Sequence, residues 1–260
     1  RFFHRLLPLD EQRLIAIGGA ERAGHTTTCE VLAVDGRAIF QRTSVELPRE
    51  SGVQRGAVIA APSGLLWFGG NRRGDAHRFE SADFATCAWR LSWSDLAVHP
   101  LPSLPAGLQS ALVHGEPRGE ELTLLGGFGH RDGRPRSVSE CHRYTRTSTG
   151  WQITAISELP QPRTQAVLHE HGGARWILGG VDFDEQRGED AAWQPRLEVL
   201  RVTSGERGLA IEDTGWRLPR PRRACASFLL GSRVFLVGGL GARFDAVGEV
   251  DVLDLSSGAW

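Results

Sequence analysis

The chain has 260 residues, with 31 acidic groups against 30 cationic ones, all of them arginine, and a formal net charge of −1. So balanced a field gives nucleic acid or an anionic membrane no bulk attraction, and no apolar stretch approaches the roughly 20 residues that cross a bilayer. The missing lysine excludes a P-loop lysine and Schiff-base chemistry.

One phrase recurs: a short apolar run closed by two glycines. It stands at Leu14–Gly19, Leu65–Gly70, Leu122–Gly127, Trp176–Gly180 and Val234–Gly239. The first glycines are 51, 57, 53 and 59 residues apart. A period near fifty, with one supersecondary unit per repeat, marks an array such as a propeller. Each unit reads as strand A, a turn, strand B with its doublet, a polar loop, strand C, a tight turn and strand D with an aromatic.

Unit one, residues 1–48, places A at Phe2–Leu7, C at Cys29–Val34, a hairpin turn at Asp35-Gly36, and D at Ala38–Leu47 with Phe40. Unit two, 49–105, has A at Gly56–Ala61, a turn at Pro62-Ser63-Gly64, C near His77–Phe79, and D carrying Trp89 and Trp93. Unit three, 106–160, has A at Ser110–His114, C at Ser137–Tyr144 and D at Trp151–Leu159. Unit four, 161–219, has A at Gln165–His169, a long acidic loop at Val181–Asp190, C at Leu197–Val202, and D at Leu209–Leu218 with Trp216. Unit five, 220–260, has A at Cys225–Leu230 and C at Glu249–Leu255, and Trp260 opens its D strand. Four units close on Leu-Pro, at Leu47, Leu104, Leu159 and Leu218. Proline cannot donate to a ladder and so belongs at a strand end. No segment holds a 3.6 period over ten residues, which predicts an all-β chain.

The doublets, followed 22 to 25 residues later by Phe40, Trp93, Trp151 and Trp260, resemble the kelch repeat over almost the whole chain. The resemblance implies an all-β, kelch-type β-propeller: a single domain of five visible four-stranded blades, with any sixth supplied from outside the chain. The chain begins without methionine and stops as a D strand opens, so it is read as a segment of a longer protein. The doublet has a physical reason: glycine accepts positive φ, and its missing side chain lets another backbone come close. The D-strand aromatic is expected to fill the space between blades. Of the tyrosines that close strand C in the family, only Tyr144 is matched; Val34 and Leu255 stand in similar places.

The chemistry that propellers can host leaves few traces. There is no GxSxG elbow, His169-Glu170-His171 lacks the HExxH spacing, and no helix follows Gly238-Gly239-Leu240-Gly241. One tyrosine cannot supply the two that kelch-type copper oxidases use. The ExxxDxxxH ladder of the iron-dependent plant specifier proteins is absent. Asp182, Asp184, Glu185, Glu189 and Asp190 have oxygen ligands for Ca²⁺ but match no loop pattern, and read as a solvated acidic loop. His25, His77 and His130 fall in equivalent loops but out of register for one metal. No catalytic residue, cofactor or metal is assigned, and the segment reads as a binding module more than an enzyme. Cys29, Cys87, Cys141 and Cys225 form no CxxC pair and read as free thiols, which leans to a reducing, cytoplasmic setting.

Antiparallel blades would set the B–C loops and D–A links on one face. The loops bring Arg22, Arg72, Arg73, Arg131, Arg134, Arg136 and Arg243 there, and the links bring Arg49, Arg55, Arg163, Arg220, Arg222 and Arg223. Arginine forks suit carboxylates, and the resemblance implies the same, since cullin-adaptor kelch proteins grip acidic peptides on this face. The leading expectation is a protein–protein interaction scaffold for an acidic protein partner, with no membrane, and with nucleic acid disfavoured but left open. Two alternatives stand beside it: a pore-site small-molecule enzyme such as a sugar epimerase, and a propeller appended to a catalytic domain such as a tRNA-modifying methyltransferase.

Overall fold

The computed structural model describes residues 5–8, 11–21, 24–33, 39–48, 52, 54–61, 63–72, 79–115, 120–189, 191–205 and 208–260. It is a five-bladed β-propeller fold, one antiparallel sheet per repeat, with strands hydrogen-bonded in the order A-B-C-D. Blade one is Arg5–Pro8, Arg13–Ile17, Thr28–Ala33 and Ile39–Glu46, and blade two is Ala57–Ala61, Gly64–Phe68, Ala88–Ser92 and Val98–Leu101. In blade three, Leu108–Gln109 and Leu112–Gly115 share the A position before Glu121–Arg131, Arg134–Thr147 and Gly150–Glu158. Blade four is Val167–His171, Ala174–Leu178, Glu198–Gly205 and Gly208–Arg217. Blade five shows three strands among the described residues, Ala226–Leu230, Arg233–Val237 and Val250–Asp254. The chain divides into two compact units: Arg1–Thr123 with Gly129–Pro135 and Tyr144–Ile153, and Leu124–Phe128 with Arg136–Arg143 and Thr154–Trp260.

Why the sequence folds this way is visible at the doublets. Both glycines of every doublet have φ between 57° and 124°, where a Cβ meets the carbonyl oxygen that follows it. The first glycine lies against the link that enters the next blade. A Cβ on Gly69 would sit 2.1 Å from the Leu108 carbonyl oxygen; on Gly126 and Gly179 it would sit 2.6 Å from those of Arg163 and Arg222. The second glycine donates to the same carbonyl: Gly70 N–H to Leu108 at 2.7 Å, Gly127 to Arg163 at 2.8 Å and Gly180 to Arg222 at 2.9 Å. Blades two, three and four are thus each stitched to their successor by one backbone contact that only glycine permits.

The Leu-Pro pairs complete the joint. Leu47, Leu104, Leu159 and Leu218 are buried. Each donates its backbone N–H at 2.7–2.8 Å to a carbonyl in or shortly before strand C, from Thr27, Thr86, Ser139 and Leu197. The side chains of Leu104, Leu159 and Leu218 lie under the first glycine of their own doublets. Proline then ends the strand because it has no further N–H to give.

Between blades the cores are aliphatic with a tryptophan at the centre. In the first unit Ile15, Ile17, Val45 and Leu47 of blade one pack with Leu65, Trp67, Trp89 and Leu91 of blade two. In the second, Trp176, Leu178, Val199 and Leu218 of blade four pack with Val234, Leu236, Leu253 and Leu255 of blade five. Each such side chain contributes roughly 1.5–3 kcal/mol on burial. Trp67 stacks on Trp89 with centroids 5.3 Å apart, and Trp176 on Trp216 at the same spacing.

Two expectations are corrected. Strand C of blade two is Ala88–Ser92, not the stretch near His77–Phe79, so Trp89 belongs to C and Trp93 to the C–D turn, where its indole donates to the Ala61 carbonyl. A B–C loop with a short 3-10 turn at Ser81–Asp83 fills the interval, and its apolar residues imitate a strand. In blade three B and C run on past the doublet to a tight turn at Asp132-Gly133. Arg131, Arg134 and Arg136 therefore lie on strands and not in a loop. His77, the Asp35-Gly36 turn and Pro62 lie outside the described residues.

Gly179→Ala and Gly238→Ala separate the two roles of the first glycine. Both have positive φ, but a Cβ at Gly238 meets only the Val247 oxygen, at 4.0 Å. Gly238→Ala is expected to cost about 1–2 kcal/mol, the backbone term alone. Gly179→Ala should cost at least about 3 kcal/mol, because it also displaces the Arg222 carbonyl. Denaturant unfolding of the two variants checks the difference, and equal losses would show that the next-blade contact carries no weight.

Candidate functional site

The arginines expected on the loop face separate into three groups. Arg72 and Arg243 are exposed. Arg55, Arg131, Arg134 and Arg136 are half-buried, and burial lowers the pKa of Arg55. Arg163 and Arg222 are only 3 % and 1 % exposed, and their guanidinium groups are taken up inside their own blades. Arg22, Arg49 and Arg73 lie outside the described residues.

The two buried arginines do structural work of one kind. Arg163 Nη1 donates to the carbonyls of Gly179 and Glu198 at 3.0 Å, and Nη2 pairs with the Glu198 carboxylate at 3.0 Å. Arg222 repeats the device one blade on: it donates to Gly238 at 2.7 Å and Glu249 at 3.1 Å, and pairs with Asp251 at 2.6 Å. In each case a link arginine reaches into its own blade, caps the first doublet glycine's carbonyl and finds an acid near the start of strand C. Burial pushes Arg163 down to about 10, with Glu198 opposing the shift.

The acidic loop of blade four is not the solvated loop that its charge suggests. Val181–Phe183 pairs with Trp193–Pro195 as a two-stranded ribbon. Asp182 is 1 % exposed and accepts from Arg187 at 2.6 Å and from Arg196. Asp184 accepts from the Gln186 N–H at the start of a 3-10 turn. These oxygens are committed to the fold, and no group of three or more acidic, His or Cys residues placed for a metal occurs among the described residues. Asp190 lies outside them. His130 is tied to the Phe79 carbonyl and packs on Phe84. All four cysteines are free, and burial raises the Cys141 thiol to about 12.

The A strands bring their polar groups to blade neighbours. Arg5 donates to the Gly56 carbonyl at 3.1 Å, and His114 is buried. His169 Nε2 lies 2.9 Å from Ser227 Oγ on the A strand of the next blade, and burial lowers its pKa.

The arrangement best suited to a ligand joins one arginine of the expected face to aromatic residues that the charge pattern did not bring in. Arg223 lies in the last link, directly after Arg222. Its backbone exchanges hydrogen bonds with Leu240, at 3.0 and 2.9 Å. Its guanidinium carbon sits 4.5 Å from the centre of the Trp193 ring and 4.0 Å from that of Phe244. Trp193 comes from the blade-four ribbon and Phe244 from the B–C loop of blade five. Phe183, Trp193 and Phe244 form a row, with successive centroids 4.4 and 5.5 Å apart. Phe244 holds φ at +63° and is 53 % exposed, next to exposed Arg243. A bulky residue at that φ is strained, and such strain clusters where a loop is shaped for a task. The sequence signal was present in Trp193 and Phe244, but nothing in their spacing joins them to Arg223.

No protein-family model matches the chain, and comparison with curated proteins finds no match. Among solved structures, that of YjhT is similar, with a TM-score of 0.77 and 13 % identity over 99 % of this chain and 82 % of that one. Identity that low shows a shared fold and no more.

The division of the arginines has a direct test. Arg163→Gln should destabilise the chain by about 3 kcal/mol or more, because it leaves Glu198 and two carbonyls without their cation. Arg243→Gln should change stability by less than about 0.5 kcal/mol, as exposed positions do. Chemical denaturation reads both, and similar losses would contradict the assignment.

Proposed function

We propose that the chain is a protein–protein interaction module, a kelch-type propeller that binds an acidic partner through the loops following its glycine doublets. The kelch assignment is supported by the doublets and the Leu-Pro leucines beneath them, repeated from blade to blade. The binding reading is carried by one observation: Arg243 and the strained, exposed Phe244 stand beside Arg223 and Trp193 on one patch of the second unit. Aromatic residues and arginine are the types enriched where proteins bind proteins, and hot spots draw on tryptophan and arginine. No helix among the described residues is long and apolar enough to cross a bilayer.

The test uses the whole chain and labelled peptides rich in glutamate, with glutamine counterparts as controls. The glutamate peptides should bind more tightly, and the advantage should shrink as salt rises. Arg243→Glu combined with Phe244→Gly should weaken binding by about tenfold or more. Glycine accepts the positive φ, so stability should hold or rise by up to about 1 kcal/mol. Equal binding of both peptide types, or unchanged affinity in the double variant, would sink the reading.

A further inference from the structure

We propose that Arg223 is a carboxylate-binding site, and that its occupant is one carboxylate of an acidic side chain or chain end on a protein partner, an inference that rests on the interaction reading above. Arg223 is 4 % exposed, yet among the described residues it alone leaves two guanidinium nitrogens, Nε and Nη2, buried with no hydrogen-bond partner. Those two atoms form one edge of the guanidinium, the edge that meets a carboxylate with two parallel hydrogen bonds.

The neighbouring buried arginines show what this fold does with such a group. Arg163 has Glu198 at 3.0 Å, and Arg222 has Asp251 at 2.6 Å. Arg223 has two aromatic faces and no ion pair among the described residues. Burial pushes it down to about 10, and no carboxylate offsets the shift. Cation–π contact repays only part of the cost of desolvating a guanidinium. The remainder is the free energy that an incoming anion would recover.

Shape narrows the anion. Trp193, Pro195, Pro221, Arg223, Gly241 and Ala242 line a small open pocket of about 10 Å³, room for a single water-sized group. That is far below the roughly 300 Å³ at which pockets enclose a whole small ligand, and it limits an occupant to the end of a side chain or chain terminus whose remainder stays outside. A phosphate would meet the same edge with two of its oxygens, but its further charge would find no second free arginine at the pocket. The other arginine at the pocket, Arg222, is committed to Asp251 and to backbone carbonyls. Two ring walls exclude water, which strengthens a charge-assisted hydrogen bond between them. Phe244 supplies one of those walls from a φ of +63°, so backbone strain is spent on covering this guanidinium.

The experiment is a side-chain NMR titration of the whole wild-type chain, labelled with ¹⁵N-arginine and with the Arg223 Nε–Hε resonance assigned through its own backbone. Sodium acetate should shift that resonance saturably, and sodium chloride at matched ionic strength should not. A glutamate-rich peptide should shift it at concentrations about tenfold lower or less, through its added contacts. Arg223→Lys, which keeps the charge but loses the fork, should weaken the peptide about tenfold. The two proposals fail separately. A shift with acetate but no binding of the peptide would support the pocket and overturn its protein partner. Peptide binding that leaves Arg223 Nε–Hε unmoved would overturn the pocket and leave the interaction module standing. No saturable shift with either titrant would overturn the site, whatever the fate of the variant.

Discussion

The contact on which this architecture depends is between a glycine α-carbon and a carbonyl oxygen of the next blade's link. At Gly69, Gly126 and Gly179 a Cβ would lie 2.1–2.6 Å from that oxygen, closer than real atoms approach. The following glycine donates its N–H to the same oxygen. Hydrophobic packing between blades is larger in energy but says little about register, because aliphatic faces slide at small cost. A single hydrogen bond, reachable only where no side chain intrudes, fixes how far each blade advances on the last. The second glycine of each doublet does the matching work within its own blade: a Cβ on Gly180 or Gly239 would lie 2.6 Å from the carbonyl of Thr164 or Arg223. Two adjacent glycines are needed because two carbonyls, one from each link, converge on the same turn.

The link that supplies those carbonyls carries a second burden. One residue in four of the links has positive φ without being glycine: Arg55, Ser110, Gln165 and Ala224. These strained residues join neighbouring links, since Ser110 N–H donates to Arg55 at 2.7 Å and Ala224 to Gln165 at 3.0 Å. Local conformation costs on the order of 1–2 kcal/mol at each, offset by the bonds that it brings into range. The same links hold Arg163 and Arg222, whose guanidinium groups cap carbonyls of the B strand and doublet. Backbone, doublet and buried cation therefore form one repeated joint.

Much of this was legible in the sequence. Glycine doublets and Leu-Pro pairs are local, and each has one physical reading, so strands A and B fell within a few residues of their places in every blade. Strand C of blade two was not legible, because the apolar residues of its B–C loop mimic a strand, while the true C strand begins only at Ala88. The arginines were harder still. Arginine is the chain's only cation, so its identity at a position does not separate a capped carbonyl from a solvated loop. A regularity did exist: Arg163 and Arg222 each follow a proline and stand 16 residues before a first doublet glycine, Gly179 and Gly238. A charged residue locked to the repeat period behaves like a core position, whereas Arg72 and Arg243 show no such phase.

That distinction bears on Arg223. It follows a repeat-locked arginine, but its equivalents across the doublet bridges are Gln54 and Thr164, which are neutral. The joint therefore does not require a cation there: the bridge to Leu240 is made by backbone atoms that any residue would supply. A buried charge that the fold does not need, enclosed by two aromatic rings and a strained loop, lowers stability relative to a glutamine or threonine at the same place. Natural chains tolerate such local conflicts where function rather than folding sets the residue. Arg163 and Arg222 are explained by what they hold together inside the blade; Arg223 Nε and Nη2 hold nothing among the described residues, which is the observation behind the carboxylate site proposed for them.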